Sequence, residues 1–303
     1  MATFYAHLPF VRVAGFTSFQ LPALRLEIAQ LPFDKWEKMD GGFAGLRNQE
    51  SRYHASAPVF VIVSDAADFE AVEKMVSLAH LAVVLGSAAR VPSPQLSMQY
   101  LVSGRSVRRS IGPFAREVLL YHSDTVRCVI DELTAARVVK MSNLIVAATH
   151  VLSAAEIQFA IRSLNRGALT GVSEMGNVAL CLVAAEEIVM GRITNQLTAT
   201  FSRRAGVLMT PHAHLREKGE AHARDLYRLR SCFLHGEADA EILSDETIIS
   251  SARYLLVRAV VATLAAVTNG LLSSDSVSYF GELLDSAANT PLLREQLHEA
   301  MPR

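Results

Sequence analysis

The run of apolar and polar positions gives this chain two textures. Up to about residue 124, short apolar runs are cut by prolines and glycines; beyond it, long stretches repeat apolar residues every three or four positions. In the first part, Val59-Phe-Val-Ile-Val63, bounded by Pro58 and Ser64-Asp65, predicts a strand, and Phe10 to Phe16, Leu24 to Leu31 and Met98 to Val102 are weaker strand segments. Asp68 to Leu85 instead carries Phe69, Val72, Met75, Val76 and Ala79 at helical spacing. In the second part the spacing predicts helices over about Glu174 to Met190, Gln196 to Met209, His222 to Leu234 and Asp245 to Asn269, with one or two short helices between Ser276 and Met301. Ser153-Ala-Ala-Glu156 has the form of a capping box opening a further helix, which Gly167 would end. The expected fold class is therefore α+β. An α+β or β-rich domain would occupy residues 1–124, an all-α helical bundle 125–272 and short C-terminal helices 273–303.

Composition narrows the function classes. A chain of 303 residues suits about two domains. The net charge of -1 and a pI near 6.8 advertise no polyanionic partner, so any nucleic-acid site must be local. Cys128, Cys181 and Cys232 are few and each lies in an apolar pattern, the signature of reduced core thiols and a cytoplasmic setting. The start Met1-Ala-Thr-Phe-Tyr-Ala-His-Leu-Pro9 has neither the positive charge nor the apolar run of a secretory signal. The apolar stretch Tyr254 to Leu272 is broken by Arg258, Thr263, Thr268 and Asn269, which favours a buried bundle helix over a membrane span. No internal repeat or low-complexity tract is visible.

Candidate chemistry concentrates in Asp225-Leu-Tyr-Arg-Leu-Arg-Ser-Cys-Phe-Leu-His-Gly236. On a wheel of about 100° per residue, Leu226, Leu229 and Phe233 share one apolar face, while Tyr227, Ser231 and His235 form a separate strip with Arg230 at its edge. Gly236 is the expected C-terminal cap, and the negative end of the helix dipole suits a proton-carrying ring at His235. Arg230 keeps its charge and can fork two N–H groups onto phosphate oxygens. Metal-independent RNA cleavage needs those parts: a base for the ribose 2′-OH, an acid for the leaving oxygen, and positive charge at the phosphate. Residues five apart on a helix diverge by about 140°, so one helix does not easily close both side chains on one phosphate.

The pattern Tyr227-x-x-Arg230-Ser231-x-x-x-His235-Gly236 resembles the Arg-x4-His signature of the HEPN superfamily, in particular its Apea-like branch. Ile157 to Arg166 resembles that domain's opening helix, Val183-Ala-Ala-Glu186-Glu-Ile-Val189 its Ala-Leu-Glu-x-Leu-Leu helix, and Leu197 to Ala205 the following helix with its arginine at Arg204. Order and spacing agree over residues 152–272. Ser231 stands where the family more often has asparagine or aspartate. The resemblance implies a HEPN-type endoribonuclease without cofactor or metal, acting on RNA as a homodimer whose motif helices meet, in phage defence or a toxin system. It implies catalytic roles for Arg230 and His235 and supporting roles for Glu186, Arg204, Tyr227 and Ser231.

A second reading stays open beside it: a catalytically silent HEPN module that binds RNA, a nucleotide or a partner protein. In that reading Arg230 serves the fold, because Glu186 lies near the buried side of its own helix and needs a cation, either Arg204 or Arg230.

Other features carry less. Pro211-His-Ala-His214 with His222 reads as a solvated loop rather than a metal site. Arg203, Arg204, Arg216, Lys218, Arg224, Arg228 and Arg230, set against Glu217, Glu220 and Asp225, could steer an RNA backbone; Arg105, Arg108, Arg109 and Arg116 form a second basic cluster. The loop Lys38 to Gly45 is glycine-rich but lacks the lysine of a phosphate-binding loop, and no Gly-x-Ser-x-Gly, Cys-x-x-Cys, His-Glu-x-x-His or Rossmann glycine pattern occurs.

Overall fold

The computed structural model describes residues 3–8, 11–32, 57, 59–64, 69–89, 91, 97–102, 105–110, 128–166, 174–191, 195–236 and 246–300. The glycine-rich loop 38–45, Arg116 and Gly167 lie outside them. The chain is α+β, with an antiparallel sheet in the N-terminal part and a helical bundle in the C-terminal part. It divides into two compact units, Met1–Val146 with Ala168–Thr170, and Ala147–Gly167 with Gly171–Arg303.

The first unit is built on β1 (Thr3–Leu8), β3 (Ser18–Leu21), β4 (Leu26–Gln30), β5 (Val59–Ser64), β6 (Ser97–Val102) and β7 (Arg105–Ser110), in the order β3-β4-β5-β1-β6-β7. Neighbours run antiparallel, with β1 against β5 in the register Thr3↔Ser64 to Leu8↔Val59. Val59, Phe60 and Val61 are all fully buried, so β5 is covered on both faces, which is why its sequence is a continuous apolar run instead of an alternation. Helix α1 (Phe69–Ser87) packs on β1 and β5 through a buried stripe that includes Val72, Val76, Ala79 and Val83.

The division after Val146 lies beyond the change of texture near residue 124, because the intervening segment joins the first unit. There β8 (Cys128–Ile130) pairs in parallel with β2 (Val11–Val13). Next comes α2 (Glu132–Ala147), capped by Asp131, whose Oδ1 accepts the Thr134 N–H at 2.7 Å. Gly86 of α1 meets Val138 of α2 so closely that a Cβ there would lie 2.9 Å from the Val138 nitrogen.

In the second unit the helices are α3 (Ala155–Arg166), α4 (Glu174–Met190), α5 (Leu197–Met209), α6 (Arg216–His235), α7 (Glu246–Thr268), α8 (Phe280–Asn289) and α9 (Pro291–Ala300). Helix α7 is the core. Leu255 to Thr263 are buried without interruption, so α7 is enclosed on all sides, by α3, α4, α5, α6 and α9. The stretch Ser250–Thr268 is long and apolar enough to cross a membrane, yet 78% of it is buried, the environment of a core helix. Helices α8 and α9 pack on α4, α5 and α7 and belong to this unit.

Two local expectations change. The capping box is not formed: residues Thr149–Ser153 make a 3-10 turn, the Ser153 hydroxyl donates back to the His150 carbonyl at 2.9 Å, and α3 starts after it. The motif helix is longer than its apolar periodicity indicated, because Gly219 and Ala223 extend its buried face toward Arg216.

Buried arginines tie the helix ends together. Arg204 donates to the carbonyls of Val189 and Met190 at the end of α4, Arg253 to Leu164 near the end of α3, Arg258 to Leu208 of α5, and Arg294 to Gly206 and Thr210 at the end of the same helix. The last four carbonyls of a helix have no intrahelical donor and carry the negative end of its dipole. A guanidinium satisfies both needs at once.

Candidate functional site

Helix α6 presents the motif. Its buried face runs through Gly219, Ala223, Leu226, Tyr227 and Leu229, and it stops at Gly236, whose φ of +72° is reached at little cost only by glycine. The Gly236 N–H closes the end on the Cys232 and Phe233 carbonyls, as the sequence predicts.

Tyr227, set apart from the apolar face on the helical wheel, is nevertheless buried. It is 7% exposed, its ring centroid lies 5.0 Å from that of Phe201 on α5, and its hydroxyl donates to Glu186 Oε1 on α4 at 3.3 Å. Burial, and the Glu186 carboxylate beside it, push the Tyr227 phenol above its ordinary value. One turn further on, Arg230 Nη2 meets Glu186 Oε2 at 2.6 Å, and the guanidinium carbon sits 5.6 Å from the Tyr227 ring centroid. Both carboxylate oxygens of Glu186 are thus held by two residues three apart on α6. The pair is largely enclosed, with side-chain exposures of 23% for Arg230 and 13% for Glu186. Arg230 Nε is buried without an acceptor among the described residues.

The far end of α6 is open. Leu234, His235 and Gly236 are exposed, and Ser231, Cys232 and Phe233 are half-buried. The His235 side chain makes no hydrogen bond, ion pair or ring contact with the described residues. Within one chain Arg230 is therefore committed to α4 and His235 faces outward, as the divergence of about 140° between residues five apart requires.

Arg204 belongs to a different cluster. It is 1% exposed and pairs with Asp285 Oδ2 on α8 at 2.6 Å, while Arg203 takes Asp285 Oδ1 at 2.7 Å. Burial alone would raise Asp285, but the hydrogen bonds and charges of Arg204 and Arg203 leave its carboxyl below the ordinary value. Of the two cations that could pair with Glu186, the fold uses Arg230. Asp285, the anchor of this second cluster, had no signal in the sequence beyond an acidic residue in a short amphipathic helix.

The basic tract is partly spent on such pairs. Arg203 is on Asp285, Arg216 on Glu220 at 2.7 Å, and Arg230 on Glu186, which leaves Lys218, Arg224 and Arg228 as the exposed cations of α6. His212 and His214 are exposed and stack on each other at 5.4 Å, and no set of three metal-ligating side chains occurs among the described residues.

A concavity of about 460 Å³ opens between the end of α5, α7 and α9. Its lining includes Tyr254, Arg258 and His298. The sequence signal for it was the arginine inside the otherwise apolar stretch Tyr254 to Leu272.

Fold and site together define an α+β protein whose C-terminal helical unit carries a clamped arginine and, five residues on along the same helix, an exposed histidine. Compared with known proteins, the chain matches no family model, no curated protein and no solved structure.

Proposed function

We propose that the helical unit is a metal-independent endoribonuclease of the HEPN type, acting as a pair of chains whose α6 helices meet, in phage defence or a toxin system. The observation that carries this reading is α6 itself: Arg230 is oriented by Glu186 and Tyr227, and His235 stands exposed on the last turn of the same helix. In the proposed reaction His235 takes the proton of a ribose 2′-OH and the freed oxygen attacks the adjacent phosphorus. The next nucleotide then leaves as a 5′-hydroxyl, protonated by a second acid, and a 2′,3′-cyclic phosphate remains. Arg230 stabilises the added negative charge on the phosphoryl oxygens. Pairing two copies supplies two histidines for the acid and base roles, and it answers the divergence of the two side chains within one helix. The exposed Leu234, beside His235, is an apolar contact available to such a pairing.

The Arg230–Glu186 pair specifically favours a second reading, in which Arg230 serves the fold and the unit binds RNA, a nucleotide or a partner protein without cleaving. Growth of a bacterial host expressing the wild type beside His235→Ala, with total RNA resolved on a gel and the purified proteins incubated with RNA, separates the two. Arrest and RNA fragmentation by the wild type alone support the nuclease; equal fragmentation by wild type and His235→Ala removes it. Intact RNA with both proteins, together with RNA retention on a filter, moves the assignment to the binding module.

A further inference from the structure

We propose, resting on the nuclease reading of His235, that the line Arg224, Arg228, Ser231 and His235 along α6 is a track for the phosphodiester backbone of single-stranded RNA. Arg224 and Arg228 are its positioning residues, and they lead the strand to His235.

At about 100° and 1.5 Å per residue, these four positions fall within a sector of about 60° and follow one another at rises of about 6, 4.5 and 6 Å. Arg224, Arg228 and His235 are exposed and Ser231 is half-buried. None of the four side chains makes a hydrogen bond, ion pair or ring contact with the described residues. The neighbouring cations do not extend the line. Arg203, Arg216 and Arg230 are held by Asp285, Glu220 and Glu186, and Lys218, though exposed, lies about 100° round α6 from His235.

Two like charges four residues apart on a helix repel each other, and successive phosphates of one strand would neutralise both. The Ser231 hydroxyl, between Arg228 and His235, can donate to a phosphate oxygen on the way. A line one residue wide follows one strand rather than two. Acidic residues set its limits: Glu217 lies on the same line about 10 Å before Arg224 and ends it, while Asp225 lies about 80° round from His235, on the flank that carries Lys218. No aromatic side chain of α6 stands on the line, so contact is with the backbone, and little preference among bases is expected.

The test follows the fluorescence anisotropy of a labelled oligouridylate bound to the full chain carrying His235→Ala, which should not cut it, and in parallel the cleavage of the same RNA with His235 present. Adding Arg224→Gln/Arg228→Gln, two exposed changes that leave the fold in place, should weaken binding about tenfold or more. The slope of log affinity against log salt should flatten by about 1.4, the share of two phosphates on a single strand. Lys218→Gln removes a charge off the line and should cost less than Arg228→Gln alone. In cleavage the double variant should raise KM and nearly keep kcat. RNA that binds through the two arginines but is never cut supports the track and counts against the nuclease. Unchanged affinity in the double variant overturns the track, and the nuclease stands if that variant still cuts. Absence of RNA binding, or equal losses from Lys218→Gln and Arg228→Gln, also overturns the track, as does equal affinity for labelled oligoglutamate, which would make this face a contact for an acidic protein.

Discussion

Arg230 and Glu186 form a 2.6 Å ion pair between α6 and α4, and the tyrosine one turn before Arg230 occupies the other carboxylate oxygen. Arg230 is consequently a structural residue whatever else it does. Arg230→Ala abandons a carboxylate that is 13% exposed and should lower stability by about 2–3 kcal/mol, somewhat less than the roughly 3–5 kcal/mol for breaking a fully buried pair, because this pair keeps some contact with water. His235→Ala removes an exposed side chain and should stay within about 0.5 kcal/mol of wild type. Urea denaturation of both variants checks this; equal stabilities would mean that the pair contributes nothing. Loss of activity in Arg230→Ala is therefore ambiguous, and His235→Ala is the variant that reports on chemistry.

The Arg204–Asp285 pair fastens α5 to α8, and Arg204 also holds the end of α4. Arg204→Ala is expected to cost about 3–5 kcal/mol, more than Arg230→Ala, since Arg204 is 1% exposed and serves three acceptors. Gly281→Ala should be comparably disruptive. A Cβ there would press on the Arg204 guanidinium and lie 2.6 Å from the Val189 carbonyl oxygen. A melting temperature within a degree or two of wild type for either variant would contradict this account.

Helices α5 and α6 approach through Gly206 and Gly219. A Cβ on Gly206 would lie 2.9 Å from the Glu220 backbone nitrogen, and one on Gly219 2.9 Å from the Gly206 carbonyl oxygen. Each alanine substitution should destabilise by about 1–3 kcal/mol in spite of alanine's better helix propensity. Because both force the same two helices apart, the double variant should lose less than the sum of the two, a deviation that a double-mutant cycle measures.

Acid should destabilise the helical unit in a defined window. Burial, reinforced by Arg258, Arg294 and His212, pushes His298 from 6.5 down to about 4. Between those values the unfolded chain binds the proton and the folded chain does not, so stability is full above pH 6.5 and falls as the pH drops toward 4. At about 1.4 kcal/mol per pH unit the loss reaches roughly 3 kcal/mol. His7, beside Phe60 in the first unit, shifts the same way by burial and adds to the loss there. Unfolding free energy measured across this range should decline on acidification, with a shallower slope in His298→Gln; identical slopes would mean that His298 is not buried neutral.

Much of the helical unit was legible along the chain. The predicted limits of α4 coincide with those observed, those of α5 and α7 fall within a residue, and Gly236 closes α6 as expected. These are local facts, since the apolar repeat and the cap residue act within one or two turns. The sheet was less legible. β1, β3, β7 and β8 were not read as strands; β1, Thr3–Leu8, sits second from neither edge but inside the sheet between β5 and β6, a place conferred by pairing with Leu8↔Val59 and Phe4↔Tyr100.

The candidate site divides along the same line. That Arg230 and His235 diverge around α6, and that a buried Glu186 needs a cation, follow from helical geometry and the cost of an unpaired charge, both readable from residue order. Which arginine answers Glu186 does not. Arg204 and Arg230 were equivalent candidates until α8 brought Asp285 to Arg204 and α6 laid Tyr227 and Arg230 across α4. Likewise Arg258 was visible as a charge inside an apolar stretch, but its neutral partners come from residues 208 and 298, far away in the chain. Periodicity records which face of an element is buried. The partner of a buried charge depends on which helices cross there, and only the packed chain decides that.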